Sequence, residues 1–300
     1  MPIRTDLVIE SREMFAGEIA GVESKEKDTD GITVTCVEIT TPEGAEKIGR
    51  PMGNYVTVEI TNLETENEEL CQRGAKAVGS ELKKMIENIS PEGSVLIAGL
   101  GNQYITPDSI GPKTLGKLLV TRHITKDAGG GLDFDIRPVS AIAPGVLGLT
   151  GIETKEILLG VADRIKPSLI IAVDALASRS ISRLGTTVQL SDTGISPGSG
   201  VGNNRSELTE STLGIPVIAI GIPMVVDAAT VAADAIESVR SQMKKSGNIQ
   251  SAAVFTDAYD IALKVLAENN KNLVVTPNDV DVISEQASGI IAEGINKALF

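Results

Sequence analysis

Three short runs constrain this chain more than anything else in it: SVLIAG at 94–99, LIIAVD at 169–174 and PVIAIG at 216–221. Each is almost continuously apolar and rich in β-branched residues. A strand with one covered face alternates apolar and polar residues, so unbroken apolar runs of this length mark strands covered on both faces. Amphipathic segments supply the cover. Leu70, Ala77, Val78, Leu82, Met85 and Ile86 recur at helical spacing between about Glu66 and Asn88, and ETKEILLGVADRIK, VDAATVAADAIESVRSQMKK and NDVDVISEQASGIIAEGINKAL read as further helices. Pro277 stands near the start of the last, where its missing N–H costs little. The pattern predicts an α/β chain, a three-layer α/β/α domain around a mostly parallel central sheet. ITVTCVEIT and YVTVEIT alternate instead, and the Gly- and Pro-bearing stretch between them predicts a strand pair at one edge.

Residues 1–31 are polar apart from short apolar patches and end in KEKDTDG, a run suited to a solvated turn or mobile segment, so a single domain is predicted over 32–300, preceded by an N-terminal segment. With 300 residues and 42% apolar content, one large domain can bury its core. The 27 basic against 40 acidic residues leave a net charge of −13, which repels polyphosphate and argues against a nucleic-acid partner. The same charge attracts basic proteins and also serves plain solubility. No apolar run reaches the roughly 20 residues a membrane span needs, and the first residues have no signal-peptide pattern, so a cytoplasmic protein without a membrane partner is expected. Cys36 and Cys71 lack CxxC spacing and read as ordinary thiols.

Chemistry in open α/β sheets gathers beyond the carboxyl ends of the strands. Asp108 lies in the loop LGNQYITPDSIGP after the first apolar run, and Asp174 directly follows LIIAV in the second. Neighbouring strands would bring the two together. A close carboxylate pair shares one proton, because two like charges in a desolvated cleft cannot both ionise cheaply; the ionised member then activates water while the other donates to a carbonyl oxygen. Strand-end carboxylates also cap turns and helices, which is the commoner use. The stretch from Ser191 to Leu208 carries four glycines and one proline, and a loop of that length often binds ligands; Asp192, Gly194, Gly198, Gly200, Gly202 and Asn203 are its candidate contacts. His123 is the only histidine, which excludes a multi-histidine metal site and leaves a Ser-His or Cys-His enzyme a single base to use. No cofactor is indicated. Oxygen-only coordination through the two aspartates stays open, as does a non-enzymatic α/β protein whose aspartates merely hydrogen-bond a ligand.

Six blocks in this order, GLGNQYITPDSIGP, VTRH, RPVSAIAPGVLGLTGIET, AVDALASRS, SDTGISPGSGVGN and TLGIPVIAIGIP, strongly resemble the germination protease family. The resemblance implies an atypical aspartic endopeptidase whose catalytic residues match Asp108 and Asp174. It implies as substrates the small acid-soluble spore proteins degraded when a spore germinates, and as location the spore core. It further implies a homotetramer, and a zymogen that removes its own leader between an acidic and a large apolar residue. RTDLVIE offers that pattern at Asp6 and Leu7, making 1–6 a short propeptide and 7–31 the N-terminal segment of the processed chain. The family is also similar in fold to the hydrogenase maturation proteases, whose two acidic residues hold nickel with a histidine; a metal-dependent mechanism of that kind is the alternative.

Overall fold

The computed structural model describes residues 5–61, 67–127, 136–198, 205–245 and 273–300. After a short helix α1 (Val8–Glu13), strands β1 (Val22–Thr29) and β2 (Ile32–Ile39) form an antiparallel hairpin. Its turn is Asp30-Gly31, both at positive φ, the pairing that suits the twist of a two-residue hairpin loop. Most of KEKDTDG, expected as a solvated turn, is therefore strand. Helix α2 (Pro42–Ile48) starts on Thr41, whose side chain accepts from the Gly44 N–H, and β3 (Gly53–Glu59) returns antiparallel to β2. The long helix α3 (Glu68–Met85) is capped by Asn67.

The remaining elements are β4 (Val95–Gly99), α4 (Ile110–Leu115), α5 (Arg122–Asp127), β5 (Val139–Ile142), α6 (Leu147–Thr150), α7 (Thr154–Ile165), β6 (Leu169–Ser178), β7 (Thr187–Ser191), α8 (Glu210–Leu213), β8 (Val217–Asp227), α9 (Ala228–Lys245), β9 (Val274–Val275) and α10 (Val280–Leu299). The strands make one sheet in the order β1-β2-β3-β7-β8-β6-β4-β5, with β9 pairing on β8. Helices lie on both of its faces. On one, Val95, Ile97, Ile171, Val173, Ile218 and Ile220 join Val78 and Leu82 of α3 and Ile291 and Ile295 of α10 in the largest core cluster. On the other, Leu96, Ile170, Ala172 and Val217 pack with Leu158 of α7 and Leu213 of α8. Among the described residues no helix is long and apolar enough to cross a membrane.

The sheet is mixed, which corrects the expectation of a mostly parallel one. Pairs β4–β5, β4–β6 and β6–β8 are parallel, whereas β1–β2, β2–β3, β3–β7, β7–β8 and β8–β9 are antiparallel. The physical reason is that unbroken apolar runs reveal only doubly covered strands, and β4, β6 and β8 are those three. β2 and β3 pair as predicted but not at the edge: β1 lies outside β2, and β7 joins β3 to β8 and so extends the parallel half into a larger mixed sheet. Thr187, Gln189 and Ser191 make one face of β7 polar, and that face is buried too. Hydrophobicity alone does not find such a strand.

Candidate active site

Asp174 belongs to the face of β6 that also carries Ile170, Ala172 and Leu176, since alternate residues share a face. It is 5% exposed. Sequence reading put it after a strand end; in fact β6 runs four residues further, paired with β8, while β4 stops opposite Val173. Asp174 thus sits inside β6 at the step where the sheet narrows on one side. Directly across lies Gly221 of β8, and across from Gly221 lies Gln189 of β7. These three residues form one row over three strands. A Cβ at Gly221 would come within 2.6 Å of Leu176 Cγ and 2.9 Å of the Asp174 carbonyl oxygen, so the row has a trough at its centre that only glycine allows and into which the Leu176 side chain fits.

Asp108 reaches the same place from the loop after β4. The Leu100 N–H donates to the Val173 carbonyl, which hangs that loop beside β6. One turn of 3-10 helix, Thr106–Asp108, then folds back so that the Asn102 N–H donates to Asp108 Oδ2 at 2.8 Å. Gly101 takes φ +98 at this crossing, and a Cβ there would lie 2.1 Å from the Asp108 carbonyl oxygen. The tight crossing at Gly101 therefore helps aim the carboxylate.

Asp108 and Asp174 line one cavity of about 240 Å³, with Arg205, Thr154, Pro107 and Asp6 among its other walls. A second cavity of about 80 Å³ shares Asp6 and Asp174 and adds Arg50, Gln189 and Gly221. Burial pushes the Asp174 carboxyl well above the usual carboxylate range, the charge of Asp108 adds to it, and that of Asp6 adds less, while the Ala175 N–H and Arg205 oppose. Asp108 is also raised, by its own burial, against the Asn102 N–H and Arg205. Two acids raised in one cavity hold a proton between them more readily than two charges. Among the described residues no group of three or more His, Cys, Asp or Glu side chains is arranged to hold a metal ion.

The N-terminal segment runs through both cavities. The Asp6 N–H donates to the Ala177 carbonyl at 2.8 Å, and the Ala177 N–H returns a bond of 2.8 Å to Asp6 Oδ2. Arg50 lies 3.8 Å from Asp6 Oδ1 and also donates to the Thr5 carbonyl. Leu7 is fully buried against Ile9, Leu176 and Ile195. Of the glycine-rich loop, Gly198 lines both cavities and Gly194 the smaller one, each at positive φ. Asp192 instead accepts from the N–H and side chain of Asn54 at 2.8 and 2.7 Å, tying β7 to β3. Gly200, Gly202 and Asn203 lie outside the described residues. His123 is exposed on α5 and lines neither cavity.

A family model described as germination protease matches residues 4–254. Germination proteases of Clostridium acetobutylicum and Caldanaerobacter subterraneus are 44% and 43% identical over 99% of this chain, covering 95% and 94% of those proteins. The chain belongs to the germination protease family. The germination protease of Priestia megaterium, 39% identical over 99% of this chain and 93% of its own length, extends the match to a more distant member. Membership makes the chain an endopeptidase. A NiFe hydrogenase maturation protease from Thermococcus kodakarensis is similar at a TM-score of 0.30 and 19% identity, covering 48% of this chain and 80% of that one. A likeness so slight does not support the expected fold resemblance.

Sequence reading missed Arg50, Gln189, Arg205 and Gly221 as cavity walls. Arg205 alone had a signal, lying inside the glycine-rich stretch. Nothing local marks the other three, because their importance comes from pairing with strands that are remote in sequence.

Proposed function

We propose that this germination protease homologue cuts small acid-soluble spore proteins in the spore core, using water activated by Asp108 and a proton held on Asp174. The observation that carries this reading is the single cavity shared by two aspartates with raised carboxyls. Asp174 is the more buried, and the charges of Asp108 and Asp6 act on it, which favours the proton there. Asp174 Oδ1 accepts from the Ala175 N–H, leaving Oδ2 to carry that proton. Asp108, less enclosed and beside Arg205, is the better site for the charge. In the reaction the water oxygen bonds to the peptide carbonyl carbon, its proton passes to Asp108, and Asp174 donates to the carbonyl oxygen. Collapse breaks the C–N bond: the proton on Asp108 leaves with the amine nitrogen, and one hydroxyl of the tetrahedral carbon returns its proton to Asp174, restoring both side chains.

The same machinery is proposed to remove residues 1–6 by cutting between Asp6 and Leu7, with Gly194 and Gly198 of the 191–203 loop flanking the bound chain. In support, Asp6 lines both cavities that contain Asp174. Full-length chain incubated after purification should acquire Leu7 as its N-terminus, read by intact mass. Asp108→Asn and Asp174→Asn should each slow that conversion at least 100-fold and leave a spore-protein substrate intact. Either variant processing at the parent rate rejects the pair.

A further inference from the structure

Gln189 makes an arrangement that the two-aspartate reading does not use. Its Nε2 donates to the Asp6 carbonyl oxygen at 3.0 Å, and its Oε1 accepts from the Val8 N–H at 2.7 Å. One carboxamide therefore spans Leu7, holding the carbonyl of the Asp6–Leu7 bond on one side and the Val8 N–H on the other. The two bonds fix the orientation of the amide, because a flip would set N–H against N–H and oxygen against oxygen. The side chain is buried, where an unbonded amide costs free energy, and both of these bonds go to the N-terminal segment. Once residues 1–6 leave, the Nε2 donor loses that carbonyl and becomes available to the carbonyl of another chain.

From this geometry we infer that Gln189 is a catalytic residue, the hydrogen-bond donor to the carbonyl oxygen of the bond being cut. The inference rests on the reading of Asp6–Leu7 as the cleaved bond and adds a named group to it. Gln189 and Asp174 line one small cavity with Asp6, on either side of Gly221, so a peptide bond seated there meets a fixed donor on the β7 side and the acid on the β6 side. As the tetrahedral intermediate forms, negative charge moves onto the carbonyl oxygen. A neutral amide already aimed at that oxygen stabilises the charge without reorganising. Its Oε1, by holding the N–H of the second residue after the bond, sets which carbonyl enters that cavity.

Gln189→Leu removes both bonds while keeping a buried side chain of similar bulk. The rate at which the full-length variant acquires Leu7 as its N-terminus should fall about 100- to 1,000-fold, the usual effect of deleting one such donor. On a twelve-residue peptide matching residues 1–12, the processed variant should show that loss in kcat, with KM within about threefold of the parent. A kcat within tenfold of the parent, or a loss confined to KM, overturns the assignment. If Gln189→Leu lacks the parent's cooperative thermal transition, Gln189→Met, which keeps the length and carries no N–H, is judged by the same two criteria. A parent chain that never acquires Leu7 sinks the cleavage-site reading itself, whereas normal parent processing with normal variant processing sinks only the role of Gln189.

Discussion

Asp174 shows how a single side chain trades stability for chemistry. In an unfolded chain an aspartate loses its proton near pH 3.9, whereas folding holds the Asp174 proton to well above that. Between those two values the folded state binds more protons than the unfolded one, so the contribution of this residue to stability falls as pH rises. It is neutral to stability below about pH 4 and most unfavourable above the folded value. Asp174→Asn should therefore raise the thermal midpoint at pH 7.5, and the advantage should fade as the pH is taken down to about 3.5. Melting curves of both proteins across that range check it; an advantage independent of pH would mean that the carboxyl is not held protonated by the fold.

At the scale of elements, three adjacent strands build the trough and the loop after β4 completes it. The small residue in β8 is the critical one. Gly221→Ala would push its Cβ against the Leu176 side chain, itself packed on Leu7 and Ile9, and against the Asp174 carbonyl, which cannot retreat without shifting β6. A loss of about 1–3 kcal/mol in a urea melt is expected. Peptidase activity should fall further than the unfolded fraction explains, because the backbone that carries Asp174 has moved; proportionate losses would show that the trough tolerates a methyl group. The N-terminal helix contributes from a different direction. Glu10, buried on α1, accepts from the N–H groups of Arg179 and Ser180 just beyond β6 at 2.7 and 2.9 Å. Glu10 lies beyond the proposed cut, so this anchor stays with the processed chain, while its bond from Thr5 goes with the leader.

The whole molecule joins a parallel half, which holds both aspartates, to an antiparallel half, which supplies Gln189 and Arg50. Four copies are the assembly expected from the family resemblance. Light scattering of the unprocessed protein should then give close to 4 × 31.3 = 125.2 kDa. A mass of 31.3 kDa that persists at micromolar concentration would refute the tetramer while leaving the cavity chemistry intact.

Pattern and composition by themselves determined that β4, β6 and β8 would be buried strands, that α3, α7, α9 and α10 would be helices, and that Asp108 would lie in the loop after β4; Asp174, expected just past a strand end, lies inside β6. Those features follow from burial and periodicity over a few neighbouring residues. Tertiary structure decided how β7 pairs, that the sheet is mixed, and that Gln189, Gly221 and Asp174 stand in one row. Strand register is set by side chains packing across the whole sheet, and β7 with its buried polar face carries no local hydrophobic mark of where it belongs. For the same reason two carboxylates 66 positions apart can be named from the sequence, but the groups that face them cannot.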